Sequence, residues 1–242
     1  MQLTLFGVHV SIPAPDAQCI NYGGNIACVH IKLDDGIDII LHAGRGIREL
    51  GQELIQSHNH WDHIQGLPFF APIYQPKRNI FITPGRTALP ENDHILKQMG
   101  GRYFPVDYHT LSSNIQIAPQ KQDIDHWQLN TATITDNGLY PLYRKETNFR
   151  PWVNFAMHGD LMIHDAQYTL ADRPGKSGWG HSIAEEAVKL SMACRAKRLA
   201  LYSHENTDEN IAQVQSHCQK LIEIAKANLN LFAGAQGMSL AL

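Results

Sequence analysis

Six consecutive residues contain three histidines and one aspartate in the pattern His-x-His-x-Asp-His: His58, His60, Asp62 and His63. Imidazole nitrogens and carboxylate oxygens are ligands for zinc and also for iron and manganese. Residues two apart at the end of a strand project to the same side, so His58 and His60 can chelate one ion. Asp62 and His63 lie where the chain turns and can bind a second ion. The spacing predicts a two-metal hydrolytic site; the alternative is a surface histidine cluster with no ligand role.

Two later residues follow apolar runs that predict buried strands, and loops at strand ends commonly carry functional side chains. Asp165 offers a carboxylate, which is suited to bridging two cations because its two oxygens share their charge. His204 completes a set of ligands for the second ion with Asp62, His63 and Asp165. A turn aspartate and a solvated histidine are the alternative interpretations of these two residues.

His181 lies in the segment Gly-Trp-Gly-His-Ser, directly before a predicted helix. A histidine at a helix start near metal ions can donate a proton to a leaving oxygen or bind a phosphate oxygen. A capping or packing histidine is the alternative. With Asp62 and Asp165, which orient the nucleophile, His181 forms the candidate catalytic set.

The composition is that of a globular protein with enough apolar material for a sizeable core. The net charge of −3 argues against a surface that coats nucleic acid. No apolar run reaches the length of a membrane span, and the amino terminus lacks the pattern of a secretory signal. The four cysteines show no CxxC spacing and no disulfide framework, so a cytoplasmic setting is expected.

The hydrophobic pattern predicts strands first and then alternating strands and helices. Residues 26–33 and 37–41 read as a hairpin, and residues 47–55 as a short helix or turn. Residues 181–194 read as a helix with Ser182 as its N-cap, and residues 208–227 as a long amphipathic helix. Further strands are predicted at 3–9, 80–83, 115–118, 131–135, 139–145, 161–164, 198–202 and 236–242, and a helix at 91–99. One α/β domain over residues 1–242 with two sheets is the economical interpretation.

The chain resembles the metallo-β-lactamase-fold hydrolases, and within them the phosphodiesterase-like branch related to phosphoribosyl cyclic phosphate phosphodiesterase and tRNase Z. The matching segments are 22–25, 43–48, 57–70, 103–106, 165–169 and 178–182. The resemblance implies an αββα sandwich with a dinuclear site at the edge between two sheets. It implies His58 and His60 on the first metal, Asp62, His63 and His204 on the second, Asp165 as the bridge, and His181 near the scissile phosphate.

The chain departs from the family pattern at three places. A further first-metal histidine is expected near residues 135–137; Asp136 is the candidate in its place, and His126 is the other. An oxygen ligand there would favour manganese or iron over zinc. His42 stands where the family usually has an aspartate that supports a ligand histidine. The short distance from Gly51 to His58 leaves little room for the strand that usually precedes the motif.

The sequence therefore predicts a dinuclear metal-dependent hydrolase that cleaves a small cyclic or linear phosphodiester with a metal-bridging hydroxide. Two divalent ions are expected, zinc first and manganese or iron as alternatives. The expected partner is a small-molecule phosphodiester. No membrane partner is expected, and nucleic acid is disfavoured as a partner. A homodimer is a mild expectation. The alternatives are a thioester or lactone hydrolase on the same scaffold, a non-hydrolytic di-iron protein, and a weakly active sensor.

Overall fold

The computed structural model describes residues 1–47, 53–55, 60–83, 95–101, 104–117, 131–134, 150–176 and 179–242. The chain packs into two compact units. Unit 1 comprises residues 1–14, 24–127 and 236–242, and unit 2 comprises residues 15–23 and 128–235. One domain over residues 1–242 stays a prediction.

Unit 1 is built on a seven-stranded mixed sheet in the order β11-β1-β2-β3-β4-β5-β6. The strands are β1 (Gln2–Gly7), β2 (Cys28–Lys32), β3 (Asp38–Leu41), β4 (Glu53–Ile55), β5 (Asn79–Thr83), β6 (Asn114–Ile117) and β11 (Ser239–Ala241). Strands from β11 to β3 pair antiparallel, and those from β3 to β6 pair parallel. The hairpin of β2 and β3 is confirmed. A short helix, α1 (Trp61–Ile64), follows β4 with five residues between them.

The strand β4 corrects the expectation of a short helix or turn over residues 47–55. It pairs in parallel with β3 on one side and with β5 on the other. A three-residue strand between two partners is fixed by their hydrogen bonds and needs little intrinsic strand preference. The short distance from Gly51 to His58 therefore does accommodate the strand that precedes the metal motif.

Unit 2 is built on a four-stranded, all-parallel sheet in the order β10-β9-β8-β7. Its strands are β7 (Thr131–Ile134), β8 (Leu161–Asp165), β9 (Arg198–Tyr202) and β10 (Asn230–Ala233). Its helices are α2 (Arg150–Phe155), α3 (Arg173–Lys176), α4 (Ala184–Cys194) and α5 (Asp208–Ile224). All five residues of β8 are buried, as expected for a strand of a covered parallel sheet. Helix α4 packs on β8 and β9.

Several boundaries differ from the sequence-based expectation. Helix α4 begins at Ala184 with Ile183 as its N-cap, so the prediction of Ser182 as the cap is wrong. The cause is a bridge between Tyr168 and Ile183, in which the Tyr168 N–H donates to Ser182 O and the Ala184 N–H donates to Tyr168 O, so that Ile183 is extended and the helix begins after it. Residues 95–98 form turns rather than the end of a helix, and the rest of that predicted helix lies outside the described residues, as does the predicted strand at 139–145. The short helices α1, α2 and α3 and the strand β10 were not predicted from the sequence.

In the parts of the chain that the structure describes, no helix is long and apolar enough to cross a membrane.

Candidate metal centre

In unit 1 the candidate ligands Asp62 and His63 lie on α1, which is hydrogen-bonded to the loop after β3. The Ala43 N–H donates to His63 O at 2.7 Å, and the Gly66 N–H donates to Ala43 O at 2.8 Å. A Cβ atom at position 66 would lie 2.2 Å from Gly44 O, so this approach requires glycine. The two backbone hydrogen bonds bring the residue before Ala43, which is His42, against α1.

Asp62 and His63 are the two predicted ligands that unit 1 brings together. His63 is buried, and its Nε2 lies 3.4 Å from Asp62 Oδ2. Two ligand atoms that each lie about 2.1 Å from one tetrahedral zinc ion are about 3.4 Å apart. The Ser11 backbone N–H donates to the same Asp62 oxygen at 3.2 Å and orients the carboxylate. The pair therefore fits a shared divalent ion.

His42 forms a hydrogen bond with His63, and both rings are buried. The two Nδ1 atoms lie 2.7 Å apart, so one ring donates an N–H and the other accepts with a lone pair. When His63 is the donor, its Nε2 carries the lone pair that binding a metal requires. An imidazole thus takes the supporting position that an aspartate usually occupies in the proteins the motifs resemble.

The first-metal ligands are only partly within the described structure. His60 is exposed and precedes α1 with an extended backbone. His58, Asp136 and His126 lie outside the described residues, so the choice between Asp136 and His126 stays open. Among the side chains that the structure describes, no three or more His, Cys, Asp or Glu residues are grouped as a metal site. A complete ligand set is therefore a proposal.

Asp165 ends β8 in unit 2 and is fully buried. Its Oδ2 accepts hydrogen bonds from His181 Nδ1 and from the Ser182 backbone N–H, both at 3.0 Å. Its Oδ1 accepts one from the Gln167 backbone N–H at 3.2 Å. A carboxylate oxygen can accept two hydrogen bonds, so Oδ1 keeps the capacity to bind another partner. The role of Asp165 as a bridging ligand stays a prediction.

His181 is held in one orientation by Asp165. Because a carboxylate only accepts, His181 Nδ1 carries a hydrogen, and Nε2 is the nitrogen that can exchange a proton. The ring of Tyr168 packs edge-on against His181, with the ring centroids 5.9 Å apart. The His181 side chain is 12% exposed, so it combines a fixed orientation with some access from solvent. This is the arrangement expected of a general acid.

His204 follows β9 and is buried. Its Nε2 lies 3.1 Å from Gly234 O, and because a carbonyl only accepts, Nε2 is the donor. The lone pair of the neutral ring is then on Nδ1. The Tyr22 ring packs edge-on against His204 with the centroids 5.9 Å apart. A histidine with one nitrogen fixed by a backbone carbonyl is typical of metal ligands.

Residues that the sequence analysis did not single out surround these groups. Glu205 accepts hydrogen bonds from Gln167 Nε2 at 2.9 Å and from Lys176 Nζ at 3.0 Å. Burial raises the pKa of Glu205, but these two hydrogen bonds and the positive charges nearby outweigh it and leave the pKa lowered. Lys176 also lies 4.5 Å from the centre of the Tyr168 ring. Gln167 and Glu205 follow predicted ligands within two residues, which is the signal that could have found them.

His164 is a fully buried histidine next to Asp165. Burial lowers its pKa below the ordinary range, although the hydrogen bond to Asp165 and the charge of that residue oppose the shift. The ring is therefore neutral at physiological pH. Its Nδ1 donates to the Asp165 backbone carbonyl at 2.6 Å, so His164 fixes the backbone of a candidate ligand.

Comparisons with known proteins give the fold. No protein-family model matches the chain, and no curated protein sequence matches it. Solved structures do match over nearly the whole chain, at low sequence identity.

The metallo-β-lactamase-fold protein YhfI from Bacillus subtilis is 13% identical with a TM-score of 0.63, and the alignment covers 99% of this chain and 98% of that one. A diphosphatase from the PhnP family is 15% identical with a TM-score of 0.63, over 99% and 96%. Zn²⁺-bound PqqB from Methylobacterium extorquens is 12% identical with a TM-score of 0.62, over the full length of both chains. The chain therefore has the metallo-β-lactamase fold that its motifs predict.

Proposed function

We propose that this protein is a metal-dependent hydrolase that cleaves small phosphodiesters with two divalent ions. The observation that carries the proposal is the Asp165–His181 pair at the end of β8. A buried carboxylate there fixes a partly accessible histidine at 3.0 Å, with Nε2 available for proton transfer. Hydrolysis of a diester requires a proton for the departing oxygen, and a histidine held in this way can supply it.

The proposed ligands divide between the two metals as the sequence motifs imply. His58, His60 and Asp136 or His126 would hold the first ion, Asp62, His63 and His204 the second, and Asp165 both. Bound divalent ions supply Lewis-acid activation of water and of the phosphoryl oxygens. The 3.4 Å separation of Asp62 and His63 supports this assignment. Zinc is the first expectation because at least four imidazoles belong to the proposed set, and manganese or iron would follow from an oxygen ligand at Asp136.

In this mechanism the chain's own residues hold and deliver a proton. Asp165 accepts from Nδ1 of His181 and fixes the ring, so that the protonated ring would donate its Nε2–H to the leaving oxygen. The Ser182 backbone N–H shares the Asp165 oxygen and limits its rotation. The ring of Tyr168 restricts the tilt of His181.

The comparisons support the hydrolase class and leave the substrate to experiment. One structural neighbour is named a diphosphatase of the PhnP family, which favours chemistry at phosphorus. An isothiocyanate hydrolase from gut bacteria of Delia radicum also matches, at 10% identity and a TM-score of 0.52 over 100% of this chain and 99% of that chain. The same fold thus supports a reaction at carbon, and a substrate panel has to include both classes.

The first test combines metal analysis with a substrate panel. We expect two ions per chain and hydrolysis of bis-p-nitrophenyl phosphate and of a 2′,3′-cyclic nucleotide, with little activity on a thioester or a lactone. Asp165→Ala should lose both metal and activity. A wild-type protein that retains its metal and prefers the thioester or lactone would contradict the phosphodiester assignment.

The second test separates the roles of the ions and of His181. His181→Ala should keep its metal content, because His181 is not among the proposed ligands. It should lose about 100- to 10,000-fold in the cleavage of the cyclic nucleotide, whose alkoxide leaves poorly without a proton. The loss should be much smaller for bis-p-nitrophenyl phosphate, whose phenolate leaves readily. His109→Ala, at an exposed histidine paired with Asp107, is the control. An equal loss for both substrates would rule out His181 as the general acid.

A further inference from the structure

Unit 2 contains a cavity of about 690 Å³ between the loop before α3 and one side of α5. This is within the volume range of small-molecule sites. Its apolar wall is Leu170, Ala171 and Val214, and its polar groups include Glu185 at the start of α4 and His217 on α5. Among the described residues that line it, none is lysine or arginine.

The cavity holds a buried carboxylate without a permanent cation. Glu185 is 8% exposed, and its Oε2 has no hydrogen-bond partner among the described residues. Its Oε1 lies 3.2 Å from His217 Nε2, which is a cation only when the imidazole is protonated, and 3.4 Å from the Leu170 backbone N–H. A buried carboxylate is costly unless it is paired, so the observed partners leave its charge under-compensated.

The neighbouring glutamate shows how this helix compensates a buried charge elsewhere. Glu186 is 3% exposed, and its Oε2 likewise has no hydrogen-bond partner among the described residues, but its Oε1 lies 3.2 Å from Lys189 Nζ and 3.7 Å from Arg173 Nη1. Two permanent cations thus surround Glu186, while Glu185 lines an open cavity. The difference points to a partner for Glu185 that comes from solution.

We propose that the cavity binds a small organic cation, a protonated amine with an apolar body. The ammonium group would form a charge-assisted hydrogen bond with Glu185, which is stronger than a bond between neutral groups. The torsion of a glutamate carboxyl group is broad, so either oxygen can turn toward the amine. The apolar body would pack on Leu170 and Val214. This site is independent of the proposed metals and of hydrolysis.

The test uses an isosteric amine and alcohol and one carboxylate as probes on the unmodified, folded protein. The binding of 2-phenylethylamine, 2-phenylethanol and 3-phenylpropanoate is measured by titration calorimetry and ligand-observed NMR at neutral pH. We expect the amine to bind at least about tenfold more tightly than the alcohol, because both can donate a hydrogen bond to the carboxylate but only the ammonium brings the opposite charge to it. The carboxylate should not bind. Equal affinity for amine and alcohol, or no amine binding at millimolar concentration, would overturn the proposal.

A matched pair of variants then locates the site. Glu185→Gln keeps the shape and removes the charge, and it should abolish the preference for the amine. Glu186→Gln makes the same change at the next, also buried, position on the same helix and should keep the preference. Thermal unfolding of both variants shows whether they are folded. A folded Glu185→Gln protein that still prefers the amine would show that Glu185 is not the anchor.

Discussion

At the scale of single residues, the contact between His42 and His63 decides how well one proposed ligand is prepared for a metal. The Nδ1 atom of His42 shares a hydrogen bond with Nδ1 of His63 at 2.7 Å. His42 thus takes the position from which an aspartate would support the ligand histidine. Groups of this kind fix the tautomer and the orientation of a ligand histidine. The backbone of His42 has a φ of 67°, in the left-handed region where His, Asn and Asp are better tolerated than most residues.

Replacing His42 therefore tests its supporting role. His42→Ala removes the hydrogen-bond partner of His63, and we expect metal affinity to fall about 10- to 100-fold. His42→Asp restores an acceptor with a full negative charge and should bind metal at least as tightly as the wild type. Metal competition with a chromophoric chelator measures both. His30→Ala, which removes a histidine paired with Asp38 on β2 and β3, is the control. Unchanged affinity in His42→Ala would contradict the role.

Candidate metal ligands could be predicted from the sequence where they lie close together along the chain. The Asp62–His63 pair lies within one motif, and in the structure the two atoms proposed to bind metal, Asp62 Oδ2 and His63 Nε2, are 3.4 Å apart. The contact between His42 and His63 joins residues 21 positions apart and depends on the backbone hydrogen bonds of Ala43. No local pattern encodes such a contact, so the sequence marked His42 only as a departure from the family.

At the scale of elements, the start of α5 fastens the segment 15–23 within unit 2. The Asp208 carboxylate accepts the backbone N–H of Asn21 at 2.8 Å and of Tyr22 at 3.2 Å. Tyr22 then packs edge-on against His204. One carboxylate in the first turn of a helix thus positions an aromatic ring against a proposed metal ligand.

Removing that carboxylate should release Tyr22. We expect Asp208→Ala to lower the free energy of unfolding by about 1–3 kcal/mol, since two hydrogen bonds to a charged group are lost. It should also lower metal affinity, which a purely structural defect far from His204 would leave unchanged. Urea unfolding and metal competition measure the two effects. Glu209→Ala, at the next acidic residue of the same turn, is the matched control, because Glu209 is exposed and bonded only to Gln213 among the contacts described.

The elements that the sequence failed to predict share a physical cause. Strand β10 has four residues and lies parallel to β9, and helix α2 has six residues, so neither is long enough to show a clear period. Strand β8, helix α4 and helix α5 were predicted because their apolar patterns extend over more residues or end at a polar candidate. Pairing with neighbours, rather than local preference, decides the short elements.

At the scale of the whole molecule, buried thiols in both units report on folding. Cys28 lies in unit 1, and Cys194 and Cys218 lie in unit 2; all three are buried and free. Burial raises the pKa of Cys28, raises that of Cys194 to about 11 and, with the charge of Glu185, raises that of Cys218 to about 12. The unfolded chain should show the ordinary thiol pKa of about 8.5.

These raised values give the pH dependence of stability a definite sign. Above about pH 8.5 the unfolded thiols release protons that the folded ones keep, so alkali favours unfolding. Below that pH the thiols make their full contribution to the free energy of unfolding. Above it, the contribution of each thiol falls by about 1.4 kcal/mol per pH unit, and it is lost once the pH passes the pKa of that thiol in the folded protein. For Cys218 the window extends to about pH 12.

Urea unfolding as a function of pH checks this prediction. We expect the free energy of unfolding to fall with rising pH above about 8.5. In Cys218→Ala this decrease per pH unit should be smaller by the contribution of one thiol. Cys19→Ala should change the slope less, because Cys19 is only partly buried. A thiol reagent should likewise modify Cys19 first in the native protein and the three buried thiols only upon unfolding. A slope that is the same in Cys218→Ala and the wild type would show that the Cys218 thiol does not titrate differently in the folded state.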